Sequence, residues 1–173
     1  MNYHNITKDD MLNGDGLRVV LWLAGCNHHC KNCQNPITWD ANGGLPFDKE
    51  AEKELFEALE KPHISGITFS GGDPLFSQNR NEVSRLIKKI KKTNPQKTIW
   101  LYTGYKWEEI KNESCIKQID VLIDGMFVEE LKDTNLEWVG SSNQRVIDVQ
   151  KTLKTNEIKL LEKDMADYAS SSK

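Results

Sequence analysis

No apolar run in this chain approaches the length needed to cross a bilayer. The first residues, Met1-Asn2-Tyr3-His4-Asn5, lack the basic start and apolar stretch of a secretory signal. Positive charge is not in excess either. Lys and Arg number 23 against 26 Asp and Glu, a net charge of −3, which leaves no electrostatic footprint for nucleic acid or an anionic membrane surface. Internal repeats and low-complexity linkers are absent. The expectation is a cytoplasmic protein with no nucleic-acid partner and no membrane partner. At 173 residues the chain has the size of one domain, and its hydrophobic share of 38%, though below the usual, suffices for a core.

Cysteine is scarce, with four residues, yet three of them fall between positions 26 and 33. The stretch reads Gly25-Cys26-Asn27-His28-His29-Cys30-Lys31-Asn32-Cys33-Gln34. Soft thiolates crowded this closely select iron–sulfur clusters, zinc or copper. A disulfide would leave one thiol over, and a reducing cytoplasm keeps thiols free. Three cysteines packed as small hydrophobes fit poorly with the Asn, His and Lys between them. A structural zinc site closes with four protein ligands, whereas a site that does chemistry keeps one position open. His28 or His29 could supply a fourth zinc ligand. Alternatively, a four-iron cluster on three thiolates leaves one iron vacant. Cys115, alone in a polar stretch, is expected to be a half-buried spectator.

Apolar runs at 17–24, 66–70, 98–102 and 121–123 predict strands, with a further one at 145–149. Between them, patterning predicts helices at 48–60, capped by Asp48, at 78–92 with a lysine-rich last turn, and at 107–111. Residues 36–46 and 140–143 read as loops, 13–16 as a glycine turn, and 127–131 as a helical turn. The tail 166–173 is polar, Ser-rich and expected to fray. Strands alternating with helices predict an α/β fold with a mostly parallel sheet. Four unusual loops then follow predicted strands: the cysteines, Gly71-Gly72-Asp73, Thr103-Gly104 and Asp124-Gly125. Sites in parallel sheets form at that edge, so the four loops are expected to share one. Asp73 either bonds within its own turn or faces the site. Asp124 is expected at the site. Arg18 and Arg145 would meet a partner or a cofactor carboxylate, or else form surface ion pairs. The tryptophans are core or interface residues, and the run Lys88-Lys89-Lys91-Lys92 is a solvated helix face.

Cys-x3-Cys-x2-Cys followed by Ser70-Gly71-Gly72-Asp73-Pro74-Leu75 resembles the radical S-adenosylmethionine (SAM) enzymes. With Asn13-Gly14-Asp15-Gly16, Thr38-Trp39, the stretch 100–105, Asp124-Gly125 and Gly140-Ser141-Ser142-Asn143, the pattern is similar to activators of glycyl radical enzymes, those of anaerobic ribonucleoside-triphosphate reductase above all. The resemblance covers residues 1–150 as a radical SAM domain and leaves 151–173 as a partly disordered C-terminal extension. It departs from the family at Gln34, often aromatic, and Asn32, often Gly. The resemblance implies a 4Fe-4S cluster on Cys26, Cys30 and Cys33. It implies SAM held at its adenosine end by the main chain of Asn32, Cys33 and Gln34 and at its methionine end by the backbone of Gly72, with Gly71, Asp73, Thr103 and Asp124 as further cofactor-binding candidates. It further implies a protein substrate, the reductase large subunit, and an external one-electron reductant such as flavodoxin. The expected reaction is reductive cleavage of SAM to a 5′-deoxyadenosyl radical that takes hydrogen from one glycine of the reductase. Four to five strand–helix units fall short of the roughly 200 residues of a full eight-fold barrel, so an incomplete β/α barrel with an open side is expected. Another glycyl radical enzyme or a small molecule as substrate, or a zinc-binding interaction module, are the alternatives.

Overall fold

The computed structural model describes residues 1–162. The predicted tail at 166–173 lies outside the described residues. Among the described residues there are seven strands: β1 (Asn2–Asp10), β2 (Arg18–Leu23), β3 (Leu45–Pro46), β4 (Gly66–Gly71), β5 (Thr98–Tyr102), β6 (Val121–Asp124) and β7 (Arg145–Asp148). They form one open sheet in the order β3-β1-β2-β4-β5-β6-β7. The four central strands, β2, β4, β5 and β6, are parallel to one another. Both flanks are antiparallel: β1 on β2, β3 on β1, and β7 on β6. The expected α/β class holds, whereas the expected mostly parallel sheet holds only for the centre.

Burial explains the division. Strand β2 (RVVLWL) and strand β4 (GITFSG) are buried almost throughout, as strands inside a parallel sheet must be. Strand β1 (NYHNITKDD) buries only Ile6 and was missed by patterning. It is held mainly by its ladder to β2, with Ile6 in the core and Tyr3 packed against it. The connecting turn is built by Asp10, whose carboxylate accepts the backbone N–H of Leu12 at 2.8 Å and of Asn13 at 2.7 Å.

The helices are α1 (Lys49–Leu59), α2 (Arg80–Thr93), α3 (Trp107–Ile110) and α4 (Val149–Thr155). All four place apolar residues in one cluster: Leu55, Leu86, Ile110 and Val149 meet Val19, Leu21, Phe69, Leu101, Leu122 and Ile147. Successive strand residues face opposite sides, so the helices cover one face only. The other face carries Trp100, Val121 and Ile123, packed by Trp138, Val139 and Leu161. Helix α4 runs across residue 150. Among the described residues, no helix is long and apolar enough to cross a membrane.

Asp48 caps α1 as expected, accepting from the N–H groups of Glu50 and Ala51, both at 3.0 Å. Asp48→Ala should therefore cost about 1 kcal/mol, read as a lower urea midpoint with an unchanged slope.

Arg18 is neither at a partner surface nor in a surface ion pair. Its side chain opens β2 and is fully buried at 0% exposure. Nε donates to Thr68 Oγ1 at 2.8 Å, Nη1 to Asp15 O at 3.0 Å and Thr98 Oγ1 at 2.9 Å, and Nη2 to Ile67 O at 2.8 Å and Thr98 O at 3.0 Å. The guanidinium carbon lies 5.1 Å from the Trp100 ring centre. Burial pushes its pKa down to about 10, so it stays cationic at neutral pH.

Candidate cluster and cofactor site

Because β2, β4, β5 and β6 run in parallel, their C-terminal ends lie on one edge, and the loops that leave them are neighbours. The cysteine loop leaves β2 at Gly25. Its base is closed by two backbone bonds, Gly25 N–H to Thr38 O at 2.8 Å and Cys26 N–H to Trp39 O at 3.2 Å. Inside it, Cys33 N–H donates to Cys30 O at 3.0 Å. His29 (φ 47°) and Asn32 (φ 55°) take the left-handed conformation. Asn tolerates that conformation better than most residues with a side chain, so Asn32 can stand where the resemblance expects Gly.

Cys26, Cys30 and Cys33 are free thiols, each partly exposed. Burial pushes the Cys26 thiol up, against the backbone N–H groups of His28 and His29, which favour its thiolate. The Cys30 thiol is pushed up in the same way, opposed by the N–H of Phe127. The Asn35 N–H reaches Cys33 Sγ at 3.4 Å. Among the described residues, no three His, Cys, Asp or Glu side chains stand in the arrangement of a single bound metal ion. Three soft sulfurs on one loop, reached by backbone N–H groups, suit a cluster that takes each sulfur on a different iron. The thiols fit the 4Fe-4S group that the family resemblance implies.

The glycine pair seats this loop on the sheet. Gly71 has φ 97°, and a Cβ there would lie 2.6 Å from Leu23 N. A Cβ on Gly72 would lie 2.5 Å from Gly25 O. Gly72 N–H donates to Leu23 O at 2.7 Å and Asp73 N–H to Gly25 O at 2.8 Å. Since the Gly72 N–H is engaged, its carbonyl is the group it has to offer a ligand.

Asp73 is 1% exposed. Its carboxylate accepts from Leu75 N at 2.8 Å, Thr103 Oγ1 at 2.9 and 3.0 Å, Gly104 N at 3.0 Å and His28 Nε2 at 2.7 Å. It thus bonds within its own turn, one of the two readings the sequence left open, and also ties the loops after β2 and β5 to that turn. Asp124, also buried, accepts the Trp107 N–H at 2.7 Å and Arg145 Nε at 2.9 Å. Asp124 and then Glu108 hold the Arg145 guanidinium above its usual pKa. Asp124 stands on the shared edge, but its carboxylate joins β6 to β7 and α3 rather than to the cysteine loop. Gln34 lies beside Gly140, where a Cβ would meet its Nε2 at 3.2 Å. Lys31 reaches Glu130 at 3.0 Å. Cys115 is not half-buried as expected but fully buried in the main core, because the short helical turns around it fold it into the cluster with Ile110, Ile116 and Ile119. Of the tryptophans, Trp39 meets the His29 ring at a tilt of 55°, with ring centres 4.8 Å apart.

An α/β chain that loops three free cysteines out of the end of its first parallel strand belongs among single-cluster iron–sulfur proteins. The family model described as a 4Fe-4S single cluster domain matches residues 12–147. The chain is 47% identical over 146 residues to the anaerobic ribonucleoside-triphosphate reductase-activating protein of Enterobacteria phage T4, with 84% of this chain and 93% of the relative covered. The protein of that name from Escherichia coli (strain K12) is 43% identical over 150 residues, covering 84% and 97%. That of Vibrio cholerae is 40% identical over 148 residues, covering 83% and 96%. The chain belongs to this family of activating proteins.

Proposed function

We propose that this chain is a radical SAM activating enzyme that installs a glycyl radical on the large subunit of an anaerobic ribonucleoside-triphosphate reductase. The observation that carries this proposal is that the loop bearing three free thiols is seated at its base, through Leu23 and Gly25, on the Gly71-Gly72-Asp73 loop, at the C-terminal edge of the parallel strands. Cys26, Cys30 and Cys33 hold the cluster. When bound and reduced by an external one-electron donor such as flavodoxin, the cluster supplies the electron that cleaves SAM to the 5′-deoxyadenosyl radical, which takes hydrogen from the target glycine. The Gly72 carbonyl accepts from the cofactor amino group, and the main chain of Asn32, Cys33 and Gln34 meets the adenosine end. Gly71 lets the loop turn. Thr103, Asp73 and Asp124 fix the surrounding loops.

Helices on one face of an open sheet favour an incomplete β/α barrel, since a doubly wound sheet carries them on both faces. The side without helices, next to the loops at the C-terminal edge, is where a glycine loop of a large partner enters and excludes water. In this scheme residues 1–150 make the radical SAM domain, 151–173 are an extension, and the chain works in the reducing cytoplasm.

Anaerobic reconstitution tests the proposal. The expected result is a brown protein with four irons that releases methionine and 5′-deoxyadenosine when reduced. Added reductase should then develop a glycyl-radical signal by electron paramagnetic resonance. A colourless, air-stable protein with one zinc would overturn it. Cofactor cleavage without a radical on the reductase would move the substrate elsewhere in the radical SAM class.

A further inference from the structure

His28 sits between the first two cysteines, yet its ring is turned away from solvent, with a side-chain exposure of 14%. Nε2 meets Asp73 Oδ2 at 2.7 Å. An ionised carboxylate only accepts, so Nε2 carries the proton. The ring packs edge-on against Tyr105 at 4.7 Å. It also lies over Gly104, where a Cβ would come within 2.5 Å of it. The same carboxylate already holds Leu75 N, Thr103 Oγ1 and Gly104 N. One buried group therefore joins the loops after β2, β4 and β5, and His28 is the cysteine loop's side-chain contribution to that joint.

We propose that His28 is the positioning residue of the cysteine loop: its bond to Asp73 fixes Cys26 and Cys30 against the glycine-pair loop. A cluster on those thiols and a ligand on Gly72 are thereby kept at one separation. The inference builds on the function proposed above only in what it says about cluster and ligand; the latch itself is a property of the metal-free chain.

Hydrogen exchange of the 26–31 amides in metal-free protein reads the latch. Iron content, cluster reduction potential and SAM affinity read its consequence. In His28→Ala the loop amides should exchange about 10-fold faster or more, with β2 and β4 amides unchanged. Four irons should still load, while SAM binds about 10-fold more weakly, in the range that outer-shell partners control, and the potential shifts. His28→Gln, whose amide can reach the same carboxylate, should restore all three. Gly104→Ala drives a Cβ into the ring and should reproduce the alanine phenotype with His28 intact, which keeps the test open if His28→Ala fails to fold. Unchanged exchange and affinity in His28→Ala and Gly104→Ala would overturn the proposal. Iron loss that His28→Gln does not repair would make His28 a ligand and overturn it too. If the unaltered protein takes up no cluster, the function proposed above fails, and the exchange comparison still decides the latch.

Discussion

Alanine in place of Cys30 is expected to leave the chain folded and to abolish its iron chemistry. The Cys30 thiol is partly exposed and takes no part in the main core. Its removal should change stability by no more than about 0.5 kcal/mol, the usual range for a surface site. For the cluster the loss is of another order. Outer-shell partners alone typically control metal affinity by roughly 10–100-fold, and Cys30 is one of only three thiol donors, so loss well beyond 100-fold is expected. Iron per chain should drop to background, and so should cofactor cleavage. Cys115→Ala supplies the opposite pattern. That side chain is 1% exposed within the core, so its loss should cost about 1–2 kcal/mol through the cavity it leaves. Iron content and cleavage should remain. Iron quantitation, urea titration and product analysis on the two variants check the contrast. Retained cleavage in Cys30→Ala would remove the three-thiolate centre from consideration.

That contrast was legible in the sequence because clustering is a local property. Three thiols between positions 26 and 33 announce a metal site, and a lone Cys115 does not. The central strands were legible for a similar reason: 98–102 and 66–70 are short apolar runs bounded by turn residues, and β5 occupies the predicted span. Strand β1 was not, since only Ile6 of its nine residues is buried and its support is a ladder with β2. Two-residue β3 carries no pattern at all. The antiparallel sense of β7 was equally hidden, because it comes from pairing with β6 rather than from its own residues.

At the site, the shared edge followed from strand order, but the partners of the two buried carboxylates did not. Asp73 meets His28, 45 positions away, and Asp124 meets Arg145, 21 positions away. Nothing in a single sequence marks such pairs: Asp73 was open to its own turn or to the site, and Asp124 was expected at the site. The structure gives each a full set of donors instead. In the function proposed above, the acidic residues of this edge act by holding loops, and main-chain groups of residues 32–34 and 72 would grasp the cofactor.

Arg18 separates these roles most sharply, since the sequence allowed it to bind a cofactor carboxylate. Its five hydrogen bonds go to hydroxyls and main-chain carbonyls around Asp15, Ile67, Thr68 and Thr98, and none to a carboxylate. Arg18→Met keeps the length of the stem and removes every one of them. Two effects then oppose. Relief from burying a cation is worth several kcal/mol. Against it stand five charge-assisted bonds at about 1.5–3 kcal/mol each, and carbonyls left without a donor in a dry setting. The bonds should win, with a net loss of about 3 kcal/mol and a fall in melting temperature of about 6–12 °C for a chain of this size. Arg18→Lys should recover little, because one ammonium cannot span the positions of three guanidinium nitrogens. Arg18 opens β2 while the cysteines follow its far end, so both variants, assayed below their melting points, should load iron and bind SAM as the unaltered chain does. Normal stability with SAM binding lost would return Arg18 to the cofactor and contradict the separation of a structural edge from a chemical one.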